Sequence, residues 1–346
     1  MFEPISNVFG YLLNTLYVLL NNNFGFAIIV FSILLRIIML PITIKQQRSM
    51  KKTAKLQGQI KAIQLKYKNN QEMINKETME LYKREKISPF SGCLSAIVQI
   101  IIIFAVFYMV SQPITYMKKI NDKNKDPEIS NLNSIVNEYK KEIQESNNGK
   151  PRYIEIVTLG RINEDLKVLD NKIKDFDENK ENVEAIEENN NEENIENNEE
   201  NSENKVVESK EDLLKRKETL EKINVNMEFL GLDLSKVPNE NMKDFKVYII
   251  PLLYVISSFI SIKLNSNMQG KKKEEKKGEN KDSNEVDTAA QMNKSMLYIM
   301  PIMTVSIAFI APLGLALYWF MSNVLMIGER IILQKILDNK EDEKDA

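Results

Sequence analysis

The chain has 346 residues, a formal net charge of −2 and a mean hydropathy of −0.32, values that alone would suit a soluble protein of two or three domains. These averages combine apolar blocks with segments that are almost wholly charged or amide-bearing. Histidine is absent and Cys93 is the only cysteine in the sequence. The usual zinc, haem and iron–sulfur ligand sets, a Cys–His nucleophile and an intrachain disulfide are therefore excluded. We expect no metal, no other cofactor and no enzymatic activity.

Residues 1–23 have the pattern of an amphipathic helix. The apolar residues that recur at helical spacing on one face are Phe9, Leu12, Leu13, Leu16 and Leu20. No basic residue precedes them, as it would in a secretory signal, so we predict a helix that lies in the membrane interface. An uncleaved extra span is the alternative, although Asn14 and the asparagine run at 21–23 leave little apolar length for one.

Five segments are apolar enough to be membrane-spanning helices, which need about 20 mostly apolar residues. They are Phe24–Ile44 (span 1), residues 90–112 with the apolar part Phe90–Val110 (span 2), Val247–Leu264 (span 3), Ser295–Ile310 (span 4) and Leu313–Leu333 (span 5). Only Ala311 and Pro312 separate spans 4 and 5, which predicts a tight helical hairpin. A single long kinked helix is the alternative. The predicted fold class is an all-α polytopic membrane protein.

The basic residues predict the orientation of the chain. Residues 45–86, between spans 1 and 2, hold 12 Lys/Arg against 4 Glu, and short loops this rich in Lys and Arg stay in the cytoplasm. The N-terminus is then outside and the C-terminus cytoplasmic. The mixed basic loop 265–294 and the short acidic tail 334–346 fall on the cytoplasmic side in the same arrangement.

The basic segment 45–89 has the pattern of a cytoplasmic helical hairpin. The stripe on the first arm is Leu56, Ile60, Ile63 and Tyr67, and the stripe on the return arm is Ile74, Thr78, Leu81 and Tyr82. A turn is predicted at 68–70. Two narrow stripes that face each other suffice for an antiparallel coiled coil. Two interpretations stay open: a solvated helix pair that only enforces topology, and a dedicated docking arm.

The segment 113–246 is predicted to lie outside the membrane. Residues 181–204 hold 10 Glu and 9 Asn among 24 residues, a composition that cannot bury enough apolar surface to fold. We predict an acidic, Asn/Glu-rich disordered insertion over about 118–225. Its flanks 161–176 and 210–223 have helical periodicity, and we expect them to pair as a small helical element.

Polar side chains within the spans predict a functional site around Arg36, which is the thirteenth of the 21 residues of span 1. Ser32 shares its helical face, and the other candidates are Gln99, Trp319, Ser322 and Asn323. No span carries Asp, Glu or His except near its cytoplasmic end, where Glu329 is beside Arg330. We therefore expect an arginine without an intramembrane counter-ion, in a hydrated groove open to the cytoplasm. A structural arginine bonded to helix-end carbonyls or to Gln99 is the alternative.

Six sequence blocks in order resemble the YidC family of membrane protein insertases, whose relatives are the mitochondrial Oxa-type and chloroplast Alb-type proteins. The blocks are LLRIIMLPITIKQQRSMKK, IQLKYK, GCLSAIVQIIIIFAVFY, FLGLDLS, MPIM and PLGLALYWFMSNV. The resemblance implies a five-span protein of the bacterial plasma membrane that inserts and helps fold membrane proteins, alone or with the Sec translocon. It places the family's groove arginine on Arg36 and its basic hairpin on Lys45–Lys86.

The expected partners are nascent membrane proteins, the Sec translocon and membrane lipids, and the ribosome is a candidate partner of the hairpin and of the loop 265–294. The basic residues expected to recruit substrate or anionic lipid are Lys51, Lys52, Lys55 and Lys61. Two other classes of protein are alternatives. A solute transporter would be expected to carry an intramembrane acid or histidine and internal repeats, and a structural scaffold would not explain Arg36.

Overall fold

The computed structural model describes residues 2–68, 70–85, 91–146, 151–187, 209–274 and 307–345. The helices within these ranges are α1 (Glu3–Leu19), α2 (Phe24–Lys66), α3 (Gln71–Arg84), α4 (Ser91–Ser111), α5 (Pro113–Tyr116), α6 (Pro127–Ser146), α7 (Ile154–Glu187), α8 (Lys210–Ile223), α9 (Ile249–Glu274) and α10 (Leu313–Asp345). The strands β1 (Glu228–Phe229) and β2 (Leu232–Asp233) form an antiparallel hairpin, and a 3-10 turn covers Phe245–Tyr248. The described chain is mostly helical, as predicted.

Three helical stretches among the described residues are long and apolar enough to cross a membrane: Phe24–Ser49, Phe245–Leu264 and Leu313–Leu333. They correspond to predicted spans 1, 3 and 5. A shorter apolar stretch, Ile100–Ser111, forms part of α4 at the position of span 2.

Most of predicted span 4 lies outside the described residues, and its last four positions, 307–310, are helical. The helix is interrupted at Ala311 and Pro312 before α10 begins, so span 4 does not continue unbroken into span 5. The complete five-span arrangement stays a prediction.

Span 1 and the first arm of the hairpin are one continuous helix, α2, which is 43 residues long and contains Pro41. The return arm is α3, and the side chain of Asn70 caps it by accepting a hydrogen bond from the Met73 amide. Leu56 and Ile60 of α2 form a small hydrophobic cluster with Leu81 of α3. The two predicted stripes therefore pack against each other, separately from the main core.

The asparagine run between α1 and α2 is a tight connection. Asn21 and Asn22 have φ angles of 54° and 56°, a left-handed conformation that asparagine tolerates better than most residues. The side chain of Asn23 then accepts a hydrogen bond from the Phe26 amide at 3.0 Å and caps α2. The sequence 21–23 therefore reverses the chain and starts the first membrane-spanning helix.

Helix α1 packs closely against α4 and α5. The Ser6 hydroxyl donates a hydrogen bond to the Ala105 carbonyl at 3.1 Å. A β-carbon added at Gly10 would lie 2.2 Å from the Tyr116 carbonyl oxygen, so this close approach requires glycine. The predicted position of α1 in the membrane interface stays a prediction. The structure adds that α1 packs directly against α4 and α5.

Helices α2, α9 and α10 run in the same direction. At their N-terminal ends, a β-carbon on Gly314 of α10 would lie 3.2 Å from the Phe24 ring of α2. Further along, Tyr254 of α9 lies beside Trp319, with ring centroids 6.5 Å apart, and Ser257 bonds Asn323. Because the residues in contact advance in the same direction along each pair of helices, the three helices are parallel. Their N-terminal ends form one end of the bundle.

The main hydrophobic core lies at this N-terminal end of the bundle. On α2, the buried side chains at helical spacing are Phe24, Ala27, Ile28, Phe31 and Leu35. Beyond Leu35, Ile37 and Ile38 are 60% and 57% exposed within the described chain. The last buried core residue of α2 in this cluster is thus Leu35, and among the described residues beyond it only the partly buried Met39 packs against the core. Arg36 therefore lies at the C-terminal edge of the core on this helix.

Helices α6, α7 and α8 continue the same core instead of forming a separate unit. Their buried residues in the core cluster include Val136 of α6, Ile162 of α7 and Leu213 of α8.

The predicted pairing of 161–176 with 210–223 is confirmed by the packing of α7 on α8. The prediction of disorder over about 118–225 is wrong for these three helices, because their apolar stripes are long enough to bury one another. Residues 188–208 of that segment lie outside the described residues.

A buried carboxylate on α7 holds α5 and α6 in place. The side chain of Glu155 is 4% exposed and accepts hydrogen bonds from the Thr115 amide at 3.0 Å and from the Thr115 hydroxyl at 2.6 Å. The ammonium of Lys140 on α6 lies 3.4 Å from the same carboxylate. One acid therefore holds α5, α6 and α7 together, a role that requires good partners because the carboxylate is buried.

A second polar contact lies between α6 and α7. The Tyr139 hydroxyl donates a hydrogen bond to the Asp165 carboxylate at 2.6 Å. Burial, followed by this hydrogen bond and the charge of Asp165, raises the pKa of Tyr139 from 10.0 to about 12. The folded protein thus retains the phenol proton at a pH where the unfolded chain releases it.

We predict that Tyr139→Phe lowers the free energy of unfolding by about 1.5 to 3 kcal/mol at neutral pH, because the hydrogen bond to a carboxylate is lost. Since the pKa is raised in the fold, the stabilising effect of Tyr139 is fully present below pH 10 and is lost as the pH rises towards 12. Denaturant unfolding of both proteins in detergent, followed by circular dichroism, measures the difference. The control is Tyr11→Phe, at a side chain that is 70% exposed. A difference between wild type and Tyr139→Phe that stays constant from pH 9 to pH 12 would contradict the assignment.

Candidate functional site

Arg36 lies about 18 Å along α2 from Phe24, at the rise of about 1.5 Å per residue of an α-helix. Its side chain is 19% exposed. Ser32, one turn earlier on the same face, is buried, and its hydroxyl donates to the Ile28 carbonyl of its own helix at 2.7 Å. The Ser32 hydroxyl therefore already has a backbone acceptor.

The structure corrects the prediction that Arg36 has no intramembrane counter-ion. Its Nε lies 2.8 Å from Oε2 of Glu329 on α10, and the Glu329 side chain is only 7% exposed. The pairing follows from the parallel register of α2 and α10, because both helices reach the same depth with the two residues on facing sides. The interpretation of Arg36 as an unpaired arginine is wrong.

A signal for this pair was present in the sequence. Glu329 is the seventeenth residue of α10, about 24 Å from Leu313 at the same helical rise. Parallel helices with aligned N-terminal ends would bring it to a depth that differs from that of Arg36 by about one helical turn. The relative direction and rotation of the two helices were needed to recognise the contact, and neither follows from hydropathy.

Arg330 adds a second cation to the site. It is half-buried, and it lies close enough to Arg36 and Glu329 for their charges to interact. The three residues, which we call the charged cluster, carry a net charge of +1. The charged cluster is therefore positive even though Arg36 has an acidic neighbour.

Asn323 lies in an interhelical contact between α10 and α9. Its side-chain amide donates hydrogen bonds to the Ser257 hydroxyl at 2.9 Å and to the Ser258 hydroxyl at 3.1 Å. All three side chains are buried. Polar contacts of this kind join helices in a membrane, so Asn323 has a structural role, and the sequence pattern had assigned it only to the groove.

The remaining predicted groove residues are placed less closely together. Trp319 is half-buried and packs against the main core beside Tyr254. Ser322 is half-buried one residue before Asn323. The side chain of Gln99 lies outside the described residues, so its predicted place in the site stays a prediction. The structure therefore unites Arg36 with Glu329, and Asn323 with α9, as two neighbouring polar contacts along α10.

The predicted recruitment residues lie on the C-terminal part of α2, which forms the first arm of the hairpin. Lys52, Lys55 and Lys61 are exposed, and the side chain of Lys51 lies outside the described residues. Within the described ranges, no three His, Cys, Asp or Glu side chains come together in a way that could hold a metal ion.

Comparison with known proteins finds a family match over most of the chain. The family model described as "60Kd inner membrane protein" matches residues 15–147 and 213–341. The unmatched internal segment, 148–212, contains all of α7 and is shorter than the insertion predicted over about 118–225. Helix α6 and nearly all of α8 thus belong to the matched part.

Several curated relatives share this similarity. A protein named "Membrane protein insertase YidC" from Fusobacterium nucleatum is 44% identical over 109 residues, which cover 31% of this chain and 52% of the relative. Proteins with the same name from Clostridium perfringens and Caldanaerobacter subterraneus are 36% identical over 115 residues and 41% identical over 88 residues, covering 31% and 25% of this chain and 48% and 43% of those relatives. The matches span about half the length of these relatives.

We predict that Asn323→Ala weakens the contact between α9 and α10 and lowers the free energy of unfolding by about 0.6 to 1.7 kcal/mol, the range found for interhelical hydrogen bonds in membranes. Thermal unfolding in detergent or in nanodiscs measures the change. Val324→Ala is the matched control, because this adjacent side chain is 39% exposed, and its effect should stay within about 0.5 kcal/mol. Equal losses in the two variants would show that the Asn323 amide does not join the helices.

Proposed function

Because this chain belongs to the family of the 60Kd inner membrane protein, we propose that it is a membrane protein insertase that helps hydrophilic tails of other proteins across the bilayer. The observation that carries the proposal is the charged cluster, which follows the hydrophobic core along α2 and α10 and in which the Arg36 side chain is 19% exposed. The names of the relatives, which are membrane protein insertases, support the same activity.

The physical problem that such a protein solves is the transfer of polar backbone through hydrocarbon. Each unpaired peptide group in the bilayer core costs several kcal/mol. A hydrated groove that extends part of the way across would shorten the dry path. We propose that Arg36, Gln99 and Ser322 line this groove from the cytoplasmic side. Trp319 would form part of its apolar wall.

The free energy for insertion would come from the client itself. As the apolar segment of the client moves from the groove into lipid, its burial drives release. The membrane potential would assist by acting on charged tails. The net charge of the cluster would attract carboxylates on an incoming tail, since charge-assisted hydrogen bonds are about twice as strong as neutral ones.

The hairpin of α2 and α3 would receive clients on the cytoplasmic side. Its exposed lysines Lys52 and Lys55 extend from the same helix that carries Arg36, so a client that binds there is already aligned with the groove. Anionic lipid headgroups would bind the same basic surface. We propose the Sec translocon and the ribosome as further partners. The N-terminus would lie outside the cell membrane and the C-terminus in the cytoplasm.

We predict that removal of the Arg36 charge slows the insertion of clients with acidic tails. Arg36→Ala alone would remove the closest cation from the buried Glu329 carboxylate and leave it only Arg330 as a positive neighbour, which is destabilising, so the informative variant is Arg36→Ala/Glu329→Gln. It should insert a single-span client with an acidic tail about ten-fold less well than wild type, which corresponds to about 1.4 kcal/mol. Insertion into proteoliposomes, scored by protection of the tail from protease, measures this.

The matched control is Arg161→Ala, which removes a guanidinium that is 58% exposed on α7. It should insert the client as wild type does. Failure of the wild-type protein to insert any client, with correct folding confirmed by circular dichroism, would refute the proposed function. Normal insertion by the double variant would refute the electrostatic role of Arg36 and leave the insertase activity standing.

A further inference from the structure

Glu329 occupies the position that a client carboxylate would need in order to bind Arg36. Its Oε2 lies 2.8 Å from Arg36 Nε, and the Glu329 side chain is more deeply buried than that of Arg36, at 7% against 19% exposed. The more exposed partner is thus the arginine. An incoming carboxylate would therefore reach Arg36 from its exposed side and take over the contact that Glu329 makes.

The contact is close but poorly bonded. The Arg36 Nε–H is not aligned with the carboxylate, and neither oxygen of Glu329 accepts a hydrogen bond from any group in the described chain. Buried carboxylates normally accept at least one hydrogen bond, and strong Arg–carboxylate pairs are bidentate. The pair is therefore held by charge alone, and its displacement would break no well-formed hydrogen bond.

A second cation is available to Glu329. Arg330 follows it on α10, interacts electrostatically with both members of the pair, and forms no ion pair with another residue in the described chain. If Arg36 were taken by another carboxylate, Glu329 would keep a positive neighbour. The cluster would then hold two acids against two arginines, and its net charge would fall from +1 to zero.

We infer that Glu329 is an internal competitor, which occupies Arg36 in the resting protein and is displaced by the carboxylate of an acidic client tail. This inference rests on the proposed function. Glu329 is here a positioning and specificity-determining residue, since it acts through Arg36. A neutral tail does not compete for the guanidinium, whereas an acidic tail gains a charged partner only by displacing Glu329. The residue would set how acidic a tail must be before it is retained.

The test uses the full chain in proteoliposomes with two single-span clients that differ only in the tail, one with aspartates and one with asparagines at the same positions. We expect Glu329→Gln to raise insertion of the aspartate client by about five-fold, which corresponds to about 1 kcal/mol. Insertion of the asparagine client should not change. The ratio between the clients is the readout, because a purely structural role for Glu329 would alter both clients equally.

Two further variants complete the experiment. Arg36→Ala/Glu329→Gln should lose the gain, because the competed cation is absent. Glu145→Gln removes a carboxylate that is 69% exposed on α6 and should leave the ratio unchanged. If Glu329→Gln folds poorly, Glu329→Asp keeps the charge, withdraws the carboxylate by one methylene and should raise the ratio by a smaller factor.

An unchanged ratio in a folded Glu329→Gln or Glu329→Asp protein would overturn the inference, and so would an equal loss for both clients. Either result, with wild-type insertion intact, leaves the proposed function in place. Failure of wild type with both clients would instead count against the proposed function itself.

Discussion

The contact between Arg36 and Glu329 is the interaction on which the account of this protein depends. A cation in the middle of a membrane span is costly and needs water, a partner or both. Here the partner lies on a parallel helix, 2.8 Å away. At the N-terminal ends of the same two helices, Gly314 of α10 lies close to the Phe24 ring of α2, where an added β-carbon would be 3.2 Å away. Close packing at one end of the helix pair and an ion pair further along it thus lie on the same two helices.

The structure separates a packed end from a polar end. Apolar side chains fill the space around the N-terminal ends of α2, α9 and α10, and the same core continues into α6, α7 and α8. Glu155 fixes this continuation with hydrogen bonds to Thr115. Helix α7, which lies in the segment 148–212 that the family model does not match, is therefore packed against the rest of the protein. Apolar packing and the charged contact between Arg36 and Glu329 thus lie at different positions along the same helices.

Helix types and the apolar stripes could be predicted from the sequence because hydropathy and helical spacing report local structure. The facing residues Leu56 and Leu81 are an example. The extent of the ordered helices α6 to α8 could not be predicted from the sequence. The high Glu and Asn content of 181–204 dominated the composition of the segment, although the neighbouring helices have apolar residues at helical spacing. Disorder was therefore predicted too widely.

The sequence identified the unusual polar residues of the candidate site but not the contacts between them. The position of Arg36 follows from one charge in an apolar run, but its pairing with Glu329 depends on the relative rotation of two helices far apart in sequence. Asn323 presents the same difficulty, because its bonds to Ser257 and Ser258 arise from the register of α9 against α10. Composition identifies which side chains are unusual in a membrane, whereas packing decides which of them meet.

The most direct test of the central claim is a double-mutant cycle on the free energy of unfolding, measured in nanodiscs for Arg36→Met, Glu329→Met and the two together. If the two side chains form an ion pair, each single variant leaves a charge without its partner. The double variant should then be more stable than the sum of the single effects, by about 0.5 to 3 kcal/mol. Strictly additive effects would show that Arg36 and Glu329 do not interact and would contradict the ion pair between α2 and α10.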